Sequence, residues 1–166
     1  MPFTPYHMGP GLLIKSVMQS SFSLVIYGWA QIVMDIQPLM VLLTGKGQLH
    51  GFSHTYLGAT LLAIVAAFTG KYLIEACLKS LGTYNPFKAT LFTWRVVFFS
   101  AFLGTFTHVL LDSIMHADMK PFYPLAIENK LLGVLTIEQL HQFCGYSGVL
   151  GMVIYILVLL KVKKVN

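Results

Sequence analysis

Charge is scarce in this sequence. Of its 166 residues only 10% are Asp, Glu, Lys or Arg, against 56% hydrophobic, and the mean hydropathy is +0.72. A soluble domain carries about 25% charged residues. The shortfall argues against a water-soluble globule and for a single integral membrane domain over residues 1–166, mostly helical. Cysteine is nearly missing too. Cys77 and Cys144 stand far apart with no CxxC partner, which excludes a disulfide framework and a zinc ribbon. The N-terminal "MPFTPYHMGPG" lacks a basic n-region and a small-residue cleavage site behind an apolar core. No cleaved signal peptide is expected, and His7 is expected to stay in the mature chain. Also absent are a G-x-S-x-G elbow, a P-loop, an H-E-x-x-H pair, internal repeats and low-complexity segments. The net charge of +5 is modest. On a membrane chain it reflects cytoplasmic flanks, so no nucleic-acid partner is expected.

What the sequence does have is apolar length. Stretches run over residues 11–18, 22–43, 55–78, 90–115 and 146–160. A full span needs roughly 20 apolar residues. The third and fourth meet that length, the second does so with polar interruptions, and the fifth is somewhat short. The first is too short alone, and reads as an interfacial segment or one arm of a tight helical hairpin. "LGTYNPF" (81–87) reads as a turn with Asn-Pro as the breaker, and "KPFYPLAIENK" (120–130) as a longer loop. The expected fold is all-α, an up-and-down multi-pass membrane bundle of about four to five helices with a short N-terminal arm.

The ionisable residues sort by level. His7 and Asp35 are each about fourteen residues from the polar turn "QSS" (19–21), so antiparallel arms rising about 1.5 Å per residue bring them level. His50 and His54 precede the third stretch, His108, Asp112 and His116 close the fourth, and Glu138 and His141 precede the fifth. The alternation puts all six histidines near one membrane face. Lys79, Lys88, Arg95, Lys161, Lys163 and Lys164 fall at the other, with Lys15 and Lys71 able to snorkel there. The positive-inside rule then predicts a cytoplasmic C-terminus and an outward-facing histidine end in a bacterial inner membrane.

Several of these residues suit metal chemistry. His108, Asp112 and His116 recur every four residues, a stripe on one helical face offering imidazole nitrogen and carboxylate oxygen to a divalent ion such as zinc. The same stripe would also serve as interhelical hydrogen bonds. "HGFSHT" offers His50 and His54 where a loop meets a helix. Asp35 lies in an apolar run just before Pro38, which tends to open the helix there. Ser53 adjoins His54, but neighbours on a helix do not face each other. Glu138 and His141 read as a wet interfacial turn, Asp118 as a helix end, and Glu75 as a partner of Lys71 or Lys79.

At "PFTPYHMGPG", "GWAQIVMDIQPL", "HGFSHTYLGA" and "THVLLDSIMHAD" followed by "PFYPL", the chain resembles the bacterial membrane-bound metal-dependent hydrolases, including their short SOS (LexA)-regulated inner-membrane members. That family has been likened to zinc-dependent phospholipases C and P1-type nucleases, helical enzymes with clustered His and Asp zinc ligands. The resemblance implies metal ligands at His7, His54, His108, Asp112 and His116, with Asp35 binding metal or holding the attacking water. Two positions depart from the family's pattern. Gln37 stands where many members carry the second Asp of a Pro-Asp-x-Asp motif, which argues against a fully occupied multinuclear site. "HGFSHT" lacks an Arg that many carry, which argues against His50 as a ligand.

The function expected from residues and resemblance together is a metal-dependent hydrolase acting on a phosphoester or lipid-linked substrate at the outer face of the inner membrane. Its cofactor would be a divalent metal, zinc first. Asp35 or His50 would move the proton, and Lys46 or Lys120 would hold an anionic headgroup. The alternatives are a metal-binding transport or channel protein, with the same groups strung along a path, and a non-catalytic membrane interaction protein.

Overall fold

The computed structural model describes residues 5–82 and 92–165, and among them it holds helices and no strand. Five α-helices follow one another: α1 Met8–Met18, α2 Leu24–Thr44, α3 Tyr56–Ser80, α4 Trp94–Met115 and α5 Ile137–Val165. Short 3-10 turns, Pro5–His7, Gln19–Ser21 and Phe52–His54, precede α1, α2 and α3. Four helices are long and apolar enough to cross a membrane: α2, α3, α4 and α5 up to Val162. The expected all-α bundle is what the chain forms. Two expectations within it need correction, the start of the last helix and the partner of the first.

The helix starts follow from short polar side chains. Ser23, Thr55 and Thr93 sit at the N-caps of α2, α3 and α4, each accepting a hydrogen bond from the backbone N–H three residues on. A fourth start corrects the sequence reading. The backbone N–H of Gln139 donates to Thr136 Oγ1 at 3.1 Å, and Thr136 N–H donates back to Gln139 Oε1 at 3.0 Å. This reciprocal capping box starts α5 at Ile137, not near residue 146. "TIEQLHQF" is thus the cap and opening turns of a long helix, not a segment ahead of a short one. At the other end of the scheme, α2 runs unbroken through Pro38 to Thr44 and stops at Gly45, whose φ of 67° suits a residue without a Cβ.

Small residues let the helices approach. Ile26, Ala30, Val33, Ala66, Ala67, Val97 and Ala101 form a core shared by α2, α3 and α4. Alanine and glycine dominate close helix contacts in lipid because no hydrophobic drive separates tails from side chains there. The N-terminal arm does not lie along α2 as a hairpin; α1 lies chiefly on α5. Gly9 faces the carbonyl of Cys144, Gly148 faces the Cα of Gly9, and a Cβ at Gly151 would come within 2.5 Å of the Leu13 backbone nitrogen. Lys15 reaches toward the end away from the histidines and ties the turn into α2, donating to the carbonyls of Gln19 (2.7 Å) and Phe22 (2.9 Å).

At the far end from the histidines, Lys71 pairs with Glu75 at 2.5 Å and donates to the Phe92 carbonyl at 3.0 Å. The expected 81–87 turn and Lys88 lie largely outside the described residues, which stop at Gly82 and resume at Phe92. The α4–α5 connection is a long loop, as expected from its prolines.

Gly151→Leu should force α1 off α5, at an overpacking cost of about 1–3 kcal/mol. Gly145→Ala, whose Cβ meets open space, should change little. Thermal unfolding in detergent reads both, and equal midpoints for the two variants would mean that α1 is not held by this contact.

Candidate metal centre

Asp112, on the last turn of α4, collects imidazoles from three directions. His7 arrives from the turn before α1, His54 from the turn before α3, and His108 from one helical turn earlier on α4 itself. The Nε2 atoms lie 3.4 Å (His7), 3.2 Å (His108) and 3.9 Å (His54) from the Asp112 carboxylate. His50 Nε2 stands at 4.0 Å, and Asp35, midway along α2, brings Oδ1 to 3.6 Å from His108 Nε2. His7, Asp35, His54, His108 and Asp112 are all buried. Combinations of these residues bring ligand atoms within 4.8 Å of one another: His7 with His108 and Asp112, Asp35 with His54 and His108, and His50 with His54 and Asp112.

The Nε2 atoms of His7, His54 and His108 are buried and make no hydrogen bond. A buried polar atom without a partner costs about 1–3 kcal/mol, and folded proteins keep such atoms rare. Here three of them surround one carboxylate. A divalent cation among them would give each lone pair a partner, so the donor set fits a metal.

In His108 and His54 the other ring nitrogen is already engaged, and that fixes the tautomer of these two rings. Gln31 Nε2 donates to the Gly104 carbonyl at 3.0 Å, which leaves its Oε1 to accept from His108 Nδ1–H at 2.7 Å. Gln37 Nε2 donates to the Gln48 carbonyl at 3.1 Å, its Oε1 accepts from the Ser53 hydroxyl, and Ser53 Oγ accepts from His54 Nδ1–H at 2.8 Å. Both Nε2 atoms therefore present lone pairs. Outer-shell partners of this kind orient metal-binding histidines. Burial first, and His108 second, push His54 down to about 3 and His7 down to about 4. Both rings are neutral at pH 7, the form that binds metal.

Sequence-expected residues are thus brought together unequally. His116 does not continue the α4 stripe. The helix ends at Met115, and His116 turns to extended backbone (φ −110°, ψ 121°). Its ring stacks on His50 at 4.3 Å instead. Asp118 does not merely end the helix: both its oxygens lie 2.9 Å from His50 Nδ1. Ser53 and His54 do face each other, because they occupy a 3-10 turn and not an α-helix. His141 stacks on Tyr6 at 4.6 Å and Glu138 accepts from Gln142 at 3.3 Å, both outside the cluster. Lys46 is exposed in the α2–α3 loop. Lys120 lines a cavity of about 560 Å³ with Gln48, His50, Asp118 and Tyr123. Gln31, Gln37 and Ser53 were not expected as participants. Gln31 carried a signal, since it stands four residues before Asp35 in an apolar run and so shares its face.

Gln31→Leu should leave His108 Nδ1 unpaired, costing about 1–3 kcal/mol, while the Gly104 carbonyl keeps the Thr107 hydroxyl at 3.1 Å. Gln31→Glu keeps an acceptor for Nδ1–H and should retain more stability. Denaturant unfolding in detergent measures the difference, and a leucine variant as stable as the parent would rule out the clamp. Comparison of the chain with protein-family models, with curated proteins and with solved structures finds no match.

Proposed function

We propose that this chain is a membrane-embedded, metal-dependent hydrolase of phosphoester or lipid-linked substrates, with a zinc-type divalent ion held by His7, His54, His108 and Asp112. The observation that carries the reading is the convergence of three unpaired buried imidazole nitrogens on the Asp112 carboxylate. A bound zinc ion supplies Lewis acidity, activating water near neutral pH and polarising a phosphoryl oxygen.

The chain's own residues do the rest. Gln31 and the Ser53–Gln37 relay hold His108 and His54 in the ligating tautomer. Asp35, 3.6 Å from His108 Nε2, is placed to orient the attacking water or join the ligand set. His50, with Nε2 turned to the Asp112 side and Nδ1 against Asp118, is placed to accept that water's proton and return it to the leaving oxygen. Lys120, on the cavity that His50 also lines, offers a cation to the substrate's anionic group. Lys79 and Arg95, at the C-terminus of α3 and the N-terminus of α4, and Lys161 near the end of α5 stand at the opposite end from the centre. That asymmetry supports an inner-membrane orientation with the C-terminus in the cytoplasm and the centre facing outward.

Full-length protein purified in detergent should contain at least about one zinc per chain and should hydrolyse bis(p-nitrophenyl) phosphate or a phospholipid extract. Asp112→Ala should lower zinc affinity and turnover by about 100-fold or more. Bound metal without turnover, together with Asp112-dependent ion flux into liposomes, would make the chain a transporter. No metal, and no effect of the substitution, would leave an interaction protein.

A further inference from the structure

A second group of ligating side chains lies outside the buried centre. His50 belongs to the α2–α3 loop, His116 is the residue that ends α4, and Asp118 follows in the next loop. Each offers a ligand atom within 4.8 Å of the others. His50 Nδ1 is 2.9 Å from both Asp118 oxygens, and the His50 and His116 rings stack at 4.3 Å with 26° between their planes.

These positions are built, not incidental. His116 N–H donates to the Asp112 carbonyl at 2.8 Å, and Asn129 Nδ2 donates to the carbonyls of Ser113 (2.8 Å) and His116 (3.4 Å). Met119, just beyond, is buried, and the Pro121 carbonyl accepts from Tyr56 N–H at 2.8 Å. The segment from His116 to Pro121 is therefore pinned both to α4 and to the start of α3. A simple His50–Asp118 hydrogen bond accounts for two of the three groups. It gives no role to His116, which leaves its helix to lay a half-exposed ring face to face on His50.

We infer that His50, His116 and Asp118 form a second divalent-cation site, of zinc type, at the mouth of the cavity and separate from the buried centre. Two imidazoles and a carboxylate with one side open to solvent match a site that keeps an exchangeable position. Asp118 is 54% exposed, which provides the entry path. The cavity shared by His50, Asp118, Lys120 and Tyr123 lets an incoming anion meet the cation directly. With Nδ1 on the cation, the His50 proton moves to Nε2, which faces Asp112 Oδ2 at 4.0 Å. The ring stays neutral and no net proton is exchanged; a loaded mouth site therefore takes His50 out of proton transfer and leaves that role to Asp35. The inference does not require that the buried centre hydrolyse anything.

The experiment is zinc binding by chelator-stripped, full-length protein in detergent, with stoichiometry from elemental analysis and from Co(II) absorption. Wild type should bind two equivalents. Asp118→Ala and His116→Ala, both at positions with solvent access, should each bind one, while His108→Ala should keep the mouth site and lose the buried one. Two equivalents retained in Asp118→Ala and His116→Ala would overturn the inference. A single wild-type equivalent that survives both variants would also overturn it, and would leave the buried centre standing. A single equivalent lost in both variants but kept in His108→Ala would support the mouth site and remove the buried one. No zinc at all would overturn both.

Discussion

A carboxylate inside an apolar bundle must be compensated, and Asp112 is the group to which the rest of this structure answers. Moving a charge out of water is expensive enough that intramembrane Asp residues persist where partners surround them. Here the partners are four imidazoles drawn from three segments: His7 before α1, His50 and His54 in the α2–α3 connection, and His108 from α4 itself. Neutral imidazoles with their Nε2–H turned inward would serve as hydrogen-bond donors and satisfy the carboxylate. Gln31 and Ser53 hold the proton on Nδ1 of His108 and His54 instead. Two rings therefore turn lone pairs toward an anion, an arrangement that is repulsive without a cation between them. This is why the donor set carries more weight than a list of nearby histidines.

The global frame was legible because it depends on length and polarity alone. Three runs long enough to span and a somewhat short further one, six histidines at one level and most basic residues at the other follow from helical rise and alternation. The errors share a physical cause: a helical period carried across a place where the helix ends. His116 was placed on the α4 stripe by counting fours, yet the backbone leaves the helix at that residue. Ser53 was set apart from His54 by the same rule, and a 3-10 turn reverses it. The start of α5 failed in the other direction. Polar residues 136–142 looked like a loop, although Thr136 and Gln139 spell the capping box that starts a helix.

The partner of α1 was not legible, since hydrophobic pattern does not say which neighbour a short arm prefers. Glycines at 148 and 151 on α5 supply the answer by allowing backbone-to-backbone approach to Gly9 and Leu13. The consequence reaches the candidate centre. His7 directly precedes α1, so its distance to Asp112 depends on the glycine contact between α1 and α5 as well as on the Tyr27 hydroxyl, which donates to the His7 carbonyl at 3.0 Å. A substitution far from every one of these imidazoles would thus move one of them.

Gln37, which differs from the Asp of the family the sequence resembles, makes contacts of its own. In place of a second Asp it offers an amide, which cannot serve as an anionic ligand. The amide does something a carboxylate cannot: it donates to the Gln48 carbonyl while accepting from Ser53. The acceptance directs the Ser53 hydroxyl away from His54, so Ser53 Oγ accepts the Nδ1 proton. An aspartate there would still accept from Ser53 but would leave the Gln48 carbonyl, and with it the loop carrying His50, untied. Gln37 therefore ties the orientation of His54 to the loop carrying His50, the residue that lies between Asp112 and the pair Asp118 and His116.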